Sequence, residues 1–386
     1  MKIVVTGLIG TYPLGGVAWD YLQFVKGFVA LGCDVTYLED TGQWAYDPRQ
    51  ATFTEDGAAN ARYLHGVMSR VPHMAESFAF RDARGELYGL SEDEVRRRCR
   101  SADLFLNVSD CCWLREGYRG ARVTACYDSD PLYTQAAWLA ADAGDRSNGR
   151  EPGWYRTYDV FFTMAENMGD PSCGVPRCGL DWKTTRQPIT LADWPVRHDP
   201  GHGRFTTVMS WKTKPALPIV DGRVYGGKDV EFRRFLDLPA RVRVPLEIAV
   251  SGPAPRDEMA AAGWRIVDAV ERSTTMEQYR DYVGASRGEW SVAKEAYVAS
   301  ESGWFSCRSA CYLAMGKPVV VEDPGFSRIH PTGEGLFAFR TIDEAVAALE
   351  AVEGDYLRQC EAARALAERF FRAETVLEGL IRDAGL

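Results

Sequence analysis

Three carboxylates in the first half of the chain stand where they could accept a proton from a hydroxyl group. Asp128 and Asp130 follow a predicted strand over residues 123–127, and Asp20 lies early in the first predicted helix. Burial, or repulsion between two close carboxylates, would raise the pKa of one of them toward the range of a general base. The structural alternatives stay open: Asp130 fits a helix cap, and Asp20 fits the favourable charge of a helix amino end.

A second group of residues has the pattern of an anion-binding turn. The stretch ESGWFSCRSACYLAMGKPVVVEDPG, residues 301–325, predicts a tight turn, a helix over 305–315, a break at Gly-Lys-Pro and a buried strand over 319–322. A loop that leads into a helix presents unpaired N–H groups to an anion. The alternative is an ordinary turn between a loop and a helix.

Individual residues of this turn have the chemistry that a phosphate group requires. Gly303 would let a ligand approach the backbone, Ser302 and Ser306 offer hydroxyl donors, and Arg308 offers a charged fork of donors. Gly325, after the next strand, would also lie close to a ligand, or it forms a plain Pro-Gly turn. We therefore predict that backbone amides around residues 302–306 hold a pyrophosphate.

The elements around these residues alternate between strands and helices in both halves of the chain. Strands are predicted over residues 2–6, 34–38, 103–108, 123–127 and 159–164, and again over 205–210, 246–251, 264–267, 289–292 and 319–322. Such alternation predicts parallel sheets with crossover helices, an α/β fold of two Rossmann-like, doubly wound domains that face a cleft. The predicted boundaries are 1–187 for the first domain, 188–204 for a linker, 205–352 for the second domain and 353–386 for closing helices.

Composition narrows the classes of function. With 386 residues and a formal net charge of −9, the chain has no extended basic run, which argues against a nucleic acid as partner. Its start lacks the features of a signal peptide and no segment is apolar enough for a membrane span, so a cytoplasmic location is expected. The ten cysteines show no paired CxxC spacing, so no metal site is expected.

The second half resembles the donor domain of GT-B glycosyltransferases, above all in the stretch SGWFSCRSACYLAMGKPVVVEDPG. The first half, with VTGLIGTYPLGG, is similar to the first glycine loop of the acceptor domain in that family. The resemblance implies a nucleoside-diphosphate sugar of the UDP or TDP type as co-substrate, with no tightly bound cofactor, and closing helices that cross back to the first domain. It also implies a set of binding residues: Gly15, Gly16, Ser210, Lys212, Lys228, Ser251, Gly252, Lys294, Glu301, Ser302, Gly303, Trp304, Ser306, Arg308 and Gly325.

Two family signatures are missing. Retaining members carry two Glu residues separated by seven positions, but counting from Glu301 places Ser309 at the second position. Inverting members often carry a His in the first glycine loop, and residues 8–16 contain none. The expected activity is sugar transfer to a small-molecule acceptor of the aromatic or natural-product type; the alternatives are a nucleotide-sugar 2-epimerase and a GT-B protein that binds a nucleotide sugar or a partner without turnover.

Overall fold

The computed structural model describes residues 1–147, 149–199, 201–212 and 217–386. Pro200, in the predicted linker, lies outside the described residues. The first half contains the strands β1 (Lys2–Thr6), β2 (Asp34–Asp40), β3 (Ala45–Asp47), β4 (Thr52–Thr54), β5 (Phe78–Arg81), β6 (Leu87–Gly89), β7 (Leu104–Val108), β8 (Val123–Asp128), β9 (Val160–Thr163) and β10 (Trp182–Thr184). Its helices are α1 (Gly15–Ala30), α2 (Ala58–Met68), α3 (Glu92–Arg100) and α4 (Tyr133–Asp142).

Eight of these strands form one sheet in the order β10-β9-β8-β7-β1-β2-β5-β6, in which only β6 runs antiparallel to its neighbour. The central strand β1 is buried on both faces after its first residue, which explains its continuous run of Ile and Val. The chain crosses from β1 to β2 on one side and later to β7 on the other. The loops after β1 and β7 therefore separate, and they leave a crevice at the carboxyl end of the sheet.

The second half repeats this architecture with a smaller sheet. Its strands are β11 (Phe205–Ser210), β12 (Ile219–Val220), β13 (Arg223–Val224), β14 (Leu246–Ser251), β15 (Arg265–Asp268), β16 (Gly288–Ser291), β17 (Val319–Glu322) and β18 (Leu336–Phe339). Six of them pair in parallel in the order β15-β14-β11-β16-β17-β18, so the crevice lies between β11 and β16. The helices are α5 (Lys228–Arg233), α6 (Arg256–Ala261), α7 (Ala269–Ser273), α8 (Met276–Gly284), α9 (Glu295–Ala299), α10 (Cys307–Ala314), α11 (Ile342–Gly354), α12 (Tyr356–Phe370) and α13 (Ala373–Asp383).

The last helix connects the two halves. α13 packs on α1, and Gly27 of α1 lies directly against the Leu377 side chain. The backbone of Ile189 also bonds to that of Phe371, at 2.7 Å from N to O, just before α13 begins. Because α1 also contacts α8 of the second half, the two crevices are held facing each other.

The predicted fold class, two Rossmann-like domains facing a cleft, is confirmed. Sequence periodicity missed eight strands: β5, β6, β10 and β18, which lie in the outer parts of the two main sheets, and the short pairs β3–β4 and β12–β13, which lie outside them. None of the helices in the described ranges combines the length and the apolar character needed to cross a lipid bilayer.

Candidate functional site

The main cavity of the described residues is the cleft between the two sheets, with a volume of about 360 Å³. Its walls come from the loops and helix starts that follow the carboxyl ends of the central strands of both halves. Polar and small side chains are frequent among the lining residues, which include Leu14, Gly16, Asp20, Ser109, Asp130, Ser210, Lys228, Ser251, Tyr279, Lys294, Tyr297, Trp304, Ser306, Cys307 and Arg308.

Two helices begin on this cleft without a capping side chain from any described residue. The residue before α1 is Leu14 and the residue before α10 is Ser306, and neither makes a side-chain cap bond. The first N–H groups of both helices are therefore without a side-chain cap, and both helix dipoles place partial positive charge at the same cavity. This is the arrangement that favours an anion.

Lys228 is the clearest marker of that anion. Lys228 is only 9% exposed and lines the cleft, yet its ammonium group makes no hydrogen bond or ion pair with a described residue. Burial, reinforced by the positive charges of Arg308 and Lys294, holds its pKa well below the ordinary value for lysine. The Glu289 carboxylate offsets this only in part. A buried ammonium group without an ion-pair partner costs stability, and a negatively charged ligand in the cleft would supply that partner.

Local structure fixes the position of Lys228. It starts α5 immediately after Gly226 and Gly227, and the Glu295 carboxylate accepts from the Gly226 N–H at 2.6 Å. Backbone N–H groups at the start of α9 donate to the two glycine carbonyls. The glycine segment is thus tied to α9, which places the lysine at the cleft instead of on the surface.

Arg308 lines the same cleft but is already paired. Its Nε donates to Glu289 Oε1 at 2.5 Å, and its two Nη atoms donate to the Val208 carbonyl and to Ser291 Oγ. Glu289 is fully buried, so it neutralises the guanidinium inside the second domain. Three of the five N–H groups of Arg308 are used in these bonds. Only the remaining two could donate to a phosphate, as the sequence predicted for this residue.

Lys294 and Asp130 meet across the cleft, one from each half. The lysine Nζ donates to Asp130 Oδ1 at 2.7 Å and to the Tyr297 hydroxyl at 2.9 Å, and Tyr297 also bonds to Asp130. Trp304 adds a further cross-cleft bond from its indole Nε1 to the Ser129 carbonyl, at 3.1 Å. Two residues predicted for different roles thus form one ion pair, which brings the two walls together.

Asp20 has the properties of a general base. It lies on α1 at the cleft, and burial raises its pKa to about 6, an increase partly offset by the Cys307 thiol and by the positive charge of Arg308. A carboxylate with this pKa is ionised at neutral pH and is basic enough to take a proton from a hydroxyl group as that group reacts. Asp20 therefore combines a raised pKa with a place on the cleft wall, whereas Asp130 is paired with Lys294.

Asp128 does not fit that role, because it is fully buried and does not line the cleft. Its two oxygens accept from the Thr134 and Thr163 hydroxyls, the Gln135 amide and the Asp130 N–H, at 2.7–3.1 Å. Every lone pair has a partner, so the carboxylate organises the loop after β8. The sequence shows that Asp128 ends a strand, but it does not show that its neighbours turn inward to bond it.

The turn at Gly303 holds protein and not an open space for a ligand. A Cβ atom at Gly303 would lie 2.7 Å from the Asn167 backbone nitrogen, and one at Gly325 would lie 2.5 Å from the Asn167 side-chain nitrogen. Asn167, from the first half, donates to the carbonyls of Glu301 and Gly325. The prediction that Ser302, Gly303 and Gly325 contact a phosphate is therefore wrong. Of the predicted phosphate-binding turn, only the residues from Trp304 onward face the cleft.

This docking of Asn167 can be tested with a matched pair of glycine variants. Gly303 and Gly252 both have positive φ, +77° and +80°, but a Cβ at Gly252 would meet no atom within 4 Å. Both Gly→Ala changes lower the stability of the fold by about 1 kcal/mol, because alanine is strained at positive φ. Only Gly303→Ala also displaces Asn167. We expect Gly303→Ala to lower the free energy of unfolding by about 2 kcal/mol more than Gly252→Ala in urea titrations. Equal losses would contradict the contact.

Other predicted residues lie away from the cleft. Glu301 pairs with Arg328 and Arg340 and does not face the cavity, so it is not placed to bind a ribose. Gly15 lies against the Thr275 backbone at the contact between the halves. Lys212 and Gly252 are exposed and do not line the cavity.

The structure brings ten predicted residues together on the cleft wall: Gly16, Asp20, Asp130, Ser210, Lys228, Ser251, Lys294, Trp304, Ser306 and Arg308. Sequence analysis missed Ser109, Tyr279, Tyr297 and Cys307, which line the same cavity. Ser109 could have been found, since it directly follows the predicted strand over residues 103–108. Tyr279 could not, because it lies inside a helix with a regular amphipathic pattern.

Comparison with known proteins identifies the architecture. No protein-family model matches the chain, and no curated protein matches it in sequence. Among solved structures, an alpha-glucosyltransferase in complex with UDP and a 13-mer DNA is similar over 100% of both chains, with 11% identity and a TM-score of 0.60. HepE from Anabaena, in complex with UDP and glucose, is similar over 99% of this chain and 98% of its own, with 12% identity and a TM-score of 0.56.

A third similar structure is AviGT4, a glycosyltransferase involved in avilamycin A biosynthesis, with 14% identity, a TM-score of 0.55 and coverage of 100% of this chain and 97% of its own. The prediction that excluded a nucleic acid as partner is wrong, because four similar structures, all of them alpha-glucosyltransferases, are complexes with DNA. Net charge averages the whole surface, so it does not describe the local surface that meets a partner. The alpha-glucosyltransferase, HepE and AviGT4 each match this chain over nearly its whole length. This shows that the chain has the two-domain GT-B fold of glycosyltransferases.

Proposed function

We propose that this protein is a glycosyltransferase that moves a sugar from a nucleoside-diphosphate sugar of the UDP type to the hydroxyl group of a small acceptor. The observation that carries the proposal is Lys228, a buried cation with no described partner at a cleft where two helices begin. A diphosphate supplies the missing negative charge. Structures of the same fold that hold UDP or UDP-glucose support the choice of ligand.

The proposed reaction assigns a role to each wall of the cleft. The acceptor hydroxyl gives its proton to Asp20, its oxygen forms the bond to the anomeric carbon, and the bond from that carbon to the diphosphate breaks. The electron pair of the broken bond leaves with the diphosphate. Lys228 and the N–H groups at the start of α10 stabilise the charge that develops there. Ser210 and Ser251, whose hydroxyls are 3.1 Å apart, are small residues beside which a ribose fits.

The diphosphate is the part of the donor that the proposal depends on, so UDP should stabilise the protein whereas uridine should not. We expect UDP at about one hundred times its dissociation constant to add about 2.7 kcal/mol to the free energy of unfolding. The measurement is a thermal or urea titration with each ligand at equal concentration. Equal effects of UDP and uridine would contradict a site built around Lys228.

Turnover separates an enzyme from a protein that only binds. The GT-B fold also suits a nucleotide-sugar binder without catalysis, but Asp20, with its pKa raised to about 6 in the same cavity, favours an enzyme. We test this by incubating the protein with UDP-glucose and following the release of UDP with and without added hydroxyl compounds. Tight UDP binding with no release under any condition would support the binder instead.

A further inference from the structure

An exposed group of aromatic side chains lies on the first half of the molecule. It consists of Tyr12 in the glycine loop and Trp44, Tyr46 and Phe53 in or next to the hairpin formed by β3 and β4; we call these four residues the aromatic platform. Trp44 is 52% exposed and Phe53 is 48% exposed. The rings of Tyr12, Tyr46 and Phe53 lie 5.4–6.5 Å apart between centroids, so they form one surface.

The platform is bonded to the glycine loop that leads into the cleft. The Tyr46 N–H donates to the Thr11 carbonyl at 2.8 Å, and the Asn60 side chain bonds to the carbonyls of both Gly10 and Tyr46. The hairpin is thereby fixed to the glycine loop, and Leu14, two residues after Tyr12, already lines the cavity. The platform is therefore continuous with the wall that leads to Asp20.

The second half of the chain lies close to the platform. Burial raises the pKa of Tyr46, and the nearby charges of Asp268 and Asp47 raise it further. Asp268 ends β15 and precedes α7, whose residues Ala269, Val270 and Ser273 line the cleft. The platform is thus close enough to the second half for the charge of Asp268 to act on Tyr46.

We infer that the aromatic platform binds the acceptor, and that the acceptor carries a flat ring face without negative charge, such as an aromatic ring or the apolar face of a pyranose. This inference rests on the proposed function. Half-exposed Trp and Phe side chains gain free energy when a flat apolar face covers them, through area burial and stacking. The carboxylates of Asp47 and Asp268 beside Tyr46 disfavour an anionic ring.

The experiment uses three probes and two variants. 2-Naphthol represents an aromatic ring and methyl glucoside a pyranose, while a short single-stranded DNA tests whether nucleobases occupy the platform. Dissociation constants are measured by ligand-observed NMR, with and without UDP, for the wild type, the double variant Trp44→Ala, Phe53→Ala, and the control Leu357→Ala. Leu357 is 62% exposed on α12 and does not line the cleft, so its loss removes a comparable surface elsewhere.

We expect the double variant to weaken the binding of at least one ring probe by about tenfold, while Leu357→Ala and UDP affinity remain unchanged. If 2-naphthol is the probe affected, the acceptor carries an aromatic ring; if methyl glucoside is affected, the acceptor carries a pyranose. The inference is overturned if neither ring probe binds, if both variants weaken binding equally, or if only the DNA responds to the double change. Failure of UDP to bind would instead refute the proposed function, since the platform is measured without UDP as well.

Discussion

Replacing Lys228 with methionine is expected to weaken UDP binding by about 10- to 100-fold and, at the same time, to leave the fold unchanged or more stable. A hydrogen bond to a charged group contributes about 1.5–3 kcal/mol, which corresponds to this range of affinity. Methionine has nearly the same length and fills the same space without a charge. Loss of function with a gain of stability distinguishes a binding residue from a structural one.

The gain of stability follows from the direction of the lysine pKa. Burial and the charges of Arg308 and Lys294 lower the pKa of Lys228 in the folded state, which means that folding disfavours the charged form. This penalty is present below the folded pKa and disappears as the pH rises through the unfolded one. Substitution by methionine removes it, so the midpoint of thermal unfolding should rise at neutral pH.

The same argument predicts that UDP binding takes up a proton. A diphosphate next to the ammonium raises the pKa of Lys228 toward its ordinary value, so between the two pKa values the complex holds more protons than the free protein. Calorimetry in buffers of different ionisation enthalpy measures this uptake. Lys228→Met should abolish it.

Lys212→Met is the matched control, because Lys212 belongs to the same half but is exposed and lies off the cleft wall. It should leave the affinity for UDP, the proton uptake and the stability close to those of the wild type. If Lys212→Met and Lys228→Met weaken UDP binding equally, the diphosphate does not bind next to Lys228, and the proposed position of the ligand is wrong.

The bounds of the central strands could be predicted from the sequence for a physical reason. Strands buried on both faces, such as β1 and β17, contain runs of β-branched residues, and the structure has them at the predicted bounds. Residues at or just after the carboxyl ends of central strands reach the cleft because of the topology of the sheet. This is why Ser210, Ser251 and Asp130 could be predicted as residues of the cleft.

The sequence does not show which side chains pair with each other across long distances in the chain. Glu289 lies in a predicted strand, and nothing in its neighbourhood indicates that it neutralises Arg308 from 19 positions away in the sequence. Asn167, which occupies the turn at Gly303, comes from the other domain. A glycine with positive φ fits an approaching ligand and an approaching backbone equally well, so sequence identifies the space but not what fills it.

Asp20→Asn is expected to reduce the rate of sugar transfer by about 10²- to 10⁴-fold while UDP affinity remains close to that of the wild type. The amide keeps the size of the side chain but cannot accept a proton. The pH profile gives a second signature: burial raises the pKa of Asp20 to about 6, so the base is ionised above that pH and protonated below it. Wild-type transfer should fall about tenfold per pH unit below about 6, and the residual activity of Asp20→Asn should lack this limb.

Asp128→Asn provides the contrast that separates catalysis from folding. Asp128 is buried with all its acceptors in use, and an amide would turn two donors toward the groups that now donate to it. Leaving buried polar groups unsatisfied costs about 1–3 kcal/mol each, so this variant should lose stability. Its folded fraction should nevertheless keep the rate and the pH profile of the wild type, because Asp128 does not reach the cleft. If Asp128→Asn abolishes transfer and Asp20→Asn does not, the base belongs to the loop after β8, and the assignment made from burial and position at the cleft is reversed.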